Sequence, residues 1–122
     1  MITFAIDEKG KFTRAEICGE VTHLDIFKLR NDVLVQPGYR DDLNGLCLID
    51  REAIISLSKH LFILKDLVVD IDSTKTRAKW AIVMPHFFLA AAFVAIIREF
   101  NLKYVTLRFF QSEEQALEWL RE

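Results

Sequence analysis

The sequence predicts an α/β domain with the element order β-β-α-β-α-β-α-β-α. This is a mainly parallel five-stranded sheet with an N-terminal antiparallel hairpin and helices on both faces. Three observations carry the expectation. After residue 22, strand-like and helix-like segments alternate, which implies parallel strands joined by crossover helices. Two of the later strands are short runs of apolar residues bounded by turn signals, the pattern of strands covered on both faces. The length of 122 residues, 52% of them hydrophobic, suits one domain over 1–122 and leaves no room for two ordinary cores.

The elements follow in order. Ile2 to Ile6 alternates large with small or polar side chains, as a strand does. Asp7 to Lys11 reads as a turn, with Gly10 available for positive φ, and Phe12 to Val21 as the returning strand. Thr22 can cap a helix that Asp25 answers three residues on. That helix runs to about Val35 and stops at Gln36-Pro37-Gly38. Tyr39 to Gly45 reads as a polar loop and Leu46 to Asp50 as a buried strand. A helix is expected over 58–71, a strand over 77–85, a helix over 86–100 and a last strand over 103–110. Ser112 to Gln115 is a capping box that opens a final helix.

Charge and composition exclude several classes. Charged residues make up 28% of the chain, with 16 Lys and Arg against 18 Asp and Glu, a formal net charge of −2. That argues against disorder and against a nucleic-acid partner, which calls for a basic face. Two cysteines make neither a disulfide framework nor a four-ligand zinc site. The N-terminus shows no signal peptide, and the longest apolar run, Phe87 to Ile97, is too short to span a bilayer. A cytoplasmic protein is expected, free or peripheral on the inner membrane face.

Several strings at matching positions resemble the SpoIIAA-like branch of the STAS fold. They are Gly19-Glu20-Val21-Thr22, Leu48-Ile49-Asp50, the run from Arg77 to Val83, and the run from Glu114 to Leu120. The resemblance covers nearly the whole chain. It implies a small bacterial domain that binds partners or ligands. It also implies a phosphorylated Ser two residues past the Asp that closes the third strand. Here Asp50 is followed by Arg51 and Glu52, with Ser56 and Ser58 out of register, so kinase-controlled antagonism is not expected. STAS-like folds have been compared with lipid-binding CRAL-TRIO domains.

Two helices carry more apolar residues than a sheet can cover. On 86–100, Leu89, Phe93, Ile96, Ile97 and Phe100 form one sufficient stripe, yet Phe87, Ala91 and Val94 lie roughly opposite and Phe88 lies between. On 58–71, Leu61, Leu64, Leu67, Val68 and Ile71 face one way while Phe62 and Val69 point elsewhere. Burying two exposed Phe side chains is worth roughly 3–6 kcal/mol. Three readings stand: plain core, a homodimer interface, or a cleft between the two helices for an apolar or amphipathic, lipid-like molecule. In the last, the binding residues are Phe62, Val69, Phe87, Phe88, Ala91 and Val94. Lys75, Arg77, Lys79 and Arg98 would then meet anionic head groups at a membrane surface, or form an ordinary solvated face.

No catalytic, metal or cofactor motif emerges. Cys18 and Cys47 have no adjacent His, the three histidines lack ligand spacing, and the four glycines are isolated. Asp50 and His86 fall at the carboxyl ends of strands, where parallel sheets collect ligands, and form the one conceivable pocket pair there. The expected protein is therefore a non-enzymatic binding module. The alternative is a STAS-type interaction module acting as a homodimer or on another protein.

Overall fold

The computed structural model describes residues 1–7, 9, 11–40, 42–55, 65–66, 68–85 and 87–122, leaving aside the side chains of Arg30, Val33, Phe87 and Leu89. Five strands are present: β1 (Ile2–Asp7), β2 (Phe12–Ile17), β3 (Asn44–Ile49), β4 (Ala78–Val83) and β5 (Val105–Phe110). The helices are α1 (His23–Leu34), α2 (helical at 65–66 and 68–73), α3 (Phe87–Arg98) and α4 (Glu113–Arg121). The α/β architecture is thus the expected one.

The strands form a single sheet in sequential order, β1-β2-β3-β4-β5. β1 and β2 are antiparallel, with Ile2 opposite Ile17 and Asp7 opposite Phe12, and the remaining pairs are parallel. Each parallel crossover steps one strand in the same direction. Crossovers of one hand then put α1, α2 and α3 on the same face. After β5 no strand follows, and α4 covers the opposite face.

That second face is tightly filled. Ala116, Trp119 and Leu120 of α4 pack on Phe12, Leu46 and Ala81 of the central strands. The helix begins as its sequence predicts: the Gln115 amide donates to the Ser112 hydroxyl, and Glu113 and Glu114 favour the positive helix start. Arg14 on β2 reaches Glu113 at 2.7 Å. At the other end the Lys79 ammonium donates to the carbonyls of Trp119 and Glu122 and lies over the Trp119 ring.

α1 also starts as expected. The Asp25 amide donates to Thr22 Oγ1 and the Thr22 amide to the Asp25 carboxylate. The Thr22 amide leads in holding the Asp25 carboxyl below its ordinary pKa.

Several details differ from the sequence reading: β4, β5 and α3 are shorter than the expected 77–85, 103–110 and 86–100. Lys11 takes the left-handed conformation in the first turn, and Gly10 lies outside the described residues. β2 ends at Ile17, because Gly19 at φ +66° turns the chain away. β3 starts earlier than expected, taking in Asn44 and Gly45, since parallel pairing with Phe12 and Thr13 extends to them. Of the expected helix 58–71, only 65–66 and 68–71 lie within the described residues, and the helical turn continues to residue 73.

Asp72 ties that helical stretch to the start of β5. Its carboxylate accepts amide hydrogens from Lys103, Tyr104 (2.7 Å) and Val105 (2.9 Å). Desolvation pushes its pKa up, but the three amides together outweigh it and hold the carboxyl below the ordinary value. A carboxyl lowered on folding stabilises the fold above its unfolded pKa, about 3.9. It loses that contribution as pH falls through the lower folded value. Asp72→Ala is expected to cost about 1–3 kcal/mol at pH 7 in urea unfolding, with a smaller deficit at pH 2. Equal deficits at both pH values would contradict the assignment. Thr13 Oγ1 is fully buried and has no hydrogen-bond partner among the described residues. Thr13→Val, which keeps the shape and removes the hydroxyl, is expected to raise stability by about 1 kcal/mol in the same assay.

Candidate functional site

The first face of the sheet is packed differently. Strand alternation points Ile2 and Phe4 of β1, Ala15 and Ile17 of β2, Cys47 and Ile49 of β3, Trp80 and Ile82 of β4, and Leu107 and Phe109 of β5 to this side. Above them stand Ile26 and Leu29 of α1, Val68 and Ile71 of α2, Phe93, Ile96 and Ile97 of α3, and Phe100 just past its end. Between sheet and helices lies a partly open cavity of about 180 Å³. No described residue lining it is charged.

Side-chain size explains the void. The middle of this face carries Ala15, Gly45 and Cys47 on the two central strands, where the opposite face carries Phe12, Leu46 and Leu48. Gly45 stands beside Trp80 in the β3–β4 register. The Trp80 ring lies so close over it that a β-carbon at position 45 would collide with the ring. Glycine here accommodates a flat aromatic floor. The roof meets the sheet mainly at its edge, where the Phe93 and Phe109 rings stack at 6.0 Å and 26°.

The expected stripe of α3 is present. Phe93, Ile96, Ile97 and Phe100 all line the cavity, while the Leu89 side chain is not among those described. Val68 and Ile71 do the same for α2. The binding residues expected from the surplus do not. Phe88 is 87% exposed and Val69 41% exposed. Ala91 is exposed, Val94 is half-buried, and none of these four lines the cavity. Phe62 and the Phe87 side chain lie outside what is described. The cavity is beneath the helices, because the space left by small strand residues faces the sheet-side stripe.

The expected basic group is also divided. Lys75 and Arg77 precede β4, and Arg98 ends α3, all exposed. Lys79 belongs elsewhere: alternation turns it to the α4 face, where its ammonium is held by α4 carbonyls. It cannot join Arg98 on one head-group surface. Asp50 is exposed just past β3, where its amide donates to the Ile17 carbonyl, and His86 lies outside the described residues. Among the described residues, no three His, Cys, Asp or Glu side chains are grouped to hold a metal ion, and no helix is long and apolar enough to cross a membrane.

Two features escaped the sequence reading. One is the Gly45–Trp80 pair, hidden because Gly45 read as loop. The other is the outer side of α1, where Leu24, Phe27, Leu34 and Val35 are 60%, 65%, 46% and 75% exposed. Their positions fall opposite Ile26 and Leu29 on a helical wheel, a signal available in the sequence. In comparisons with known proteins, no family model, curated protein or solved structure matches the chain.

Cys47 is the one thiol on the cavity wall. Desolvation pushes its pKa up to about 12, so its thiolate is scarce at ordinary pH. At pH 8, a charged aromatic disulfide reagent is expected to modify Cys18 while leaving Cys47 unmodified until urea is added. Rapid modification of both thiols in the folded protein, read by mass spectrometry, would show that water reaches the cavity.

Proposed function

We propose that this protein is a non-enzymatic binding module that holds an apolar or amphipathic small molecule between its sheet and helices α1, α2 and α3. The observation that carries the reading is the cavity of about 180 Å³, whose described lining is uncharged and rich in hydrocarbon. The lining offers water few hydrogen-bonding partners, so an apolar guest gains contact without displacing well-bound water. Among the described residues the lining supplies neither a general acid nor a general base, and Cys47 is too poorly ionised to act as a nucleophile at neutral pH. Retention of a guest is therefore the chemistry the site favours.

A second reading, an interaction module of the STAS type, draws on the exposed apolar side of α1 and on Phe88. One experiment separates the two. Wild type, Cys47→Phe and Phe27→Glu are purified from cells, their organic extracts are compared by mass spectrometry, and their association is measured by sedimentation. Cys47→Phe projects a ring into the cavity. An apolar compound is expected at near-stoichiometric amount with wild type and Phe27→Glu, and depleted at least tenfold with Cys47→Phe. Identical extracts from all three would overturn the binding reading. If wild type also forms a dimer that Phe27→Glu dissociates, the interaction module takes its place.

A further inference from the structure

We infer that the cavity selects a compact, uncharged hydrocarbon group, a single ring or a short alkyl segment, and that the Gly45–Trp80 pair sets this limit. The inference rests on the binding reading above and names the class of guest. Volume comes first. Sites for drug-sized ligands occupy about 300–1,000 Å³, whereas this cavity offers about 180 Å³. An apolar protein cavity of about 150 Å³ takes up benzene, so scaling by size gives room here for roughly seven carbons. A long acyl chain of about 16 carbons exceeds that space more than twofold.

Polarity comes second. Among the described lining residues only Cys47, Met84 and Trp80 have a heteroatom in the side chain, and none carries a carboxylate, amide or hydroxyl; the buried Thr13 hydroxyl lies on the same face of β2 but Thr13 does not line the space. A hydroxyl or a charge carried inside would lose its hydrogen bonds to water without replacement. The guest's buried part is therefore hydrocarbon, and any polar group it bears stays outside.

Shape comes third. The Trp80 indole lies flat against β3 because position 45 has no side chain. It presents a ring face on the same wall as Cys47 and Ile82, and Phe93 of α3 and Phe100 just past its end come down from above. A planar or thin guest can stack on that face with good dispersion contact. A side chain at position 45 would lift the indole towards the helices and take up the guest's space. Gly45 thus acts as a positioning residue through Trp80.

The test uses the whole 122-residue protein and neutral probes: benzene, toluene, n-butylbenzene and n-octylbenzene, with phenol and benzoate for polarity. Affinity is read by titration calorimetry and by the shift in Tm. It is expected to be greatest near toluene, to fall at least tenfold by n-octylbenzene, and to be about tenfold or more weaker for phenol than for toluene. Gly45→Ala is expected to weaken toluene binding at least tenfold. Trp119→Phe, on the opposite face of the sheet, is expected to leave it unchanged. Should Gly45→Ala not fold, the wild-type probe series alone decides. Affinity that keeps rising through n-octylbenzene, or equal affinity for phenol and toluene, would overturn the selectivity while leaving the binding reading intact. Gly45→Ala binding toluene as wild type does would remove Gly45 and Trp80 from the limit. No binding of any probe would overturn the inference together with the reading beneath it.

Discussion

The bulk of alternate residues along β2 and β3 governs both faces of the sheet. On one side Phe12, Leu46 and Leu48 stand high, and α4 settles on them with Ala116, Trp119 and Leu120 in close contact. On the other side the same strands present Ala15, Gly45 and Cys47. Three helices must span that side, and their inward stripes do not reach down to such short side chains. Close packing is the normal state of a protein interior, and a void forfeits the contacts its walls would otherwise make. The fold keeps one dense layer and one hollow layer, and the dense layer together with the Asp72 clamp holds the hollow one in place.

This division also shapes the chemistry. Charged side chains tied to the α4 layer, such as Arg14 with Glu113 and Lys79 with the helix end, serve its attachment. Those at the strand ends and helix termini stay at the surface. Among the described residues the lining of the hollow layer is hydrocarbon and aromatic faces, with the Met84 thioether and one thiol that hardly ionises. Such an interior offers fit and dispersion, the terms on which the proposed retention of a small apolar guest would rest.

Much of the architecture was legible in the residues. The Thr22–Asp25 and Ser112 caps marked their helix starts, and the alternation after residue 22 implied the parallel crossovers. The stripe from Phe93 to Phe100 pointed to the sheet side of α3. The position of the hollow was not legible, because a helical wheel ranks directions around one axis and says nothing of the distance between layers. The excess apolar side chains on the outside of α3 carry no information about the space under it, and Phe88 faces solvent. Lys79 is close to Lys75 and Arg77 in sequence, yet its place beside Trp80 in strand alternation puts it on the opposite side of β4. Gly45 shows the converse difficulty: a residue that reads as a turn is, in register with Trp80, part of a strand.

A hollow of about 180 Å³ per molecule amounts to about 110 mL per mole of protein. The volume lost on unfolding scales with such internal space. Hydrostatic compression therefore acts on this fold unevenly: it finds leverage beneath α1, α2 and α3 and little beneath α4. Whatever fills the hollow removes that leverage, so occupancy and barometric resilience are two expressions of one missing set of side chains.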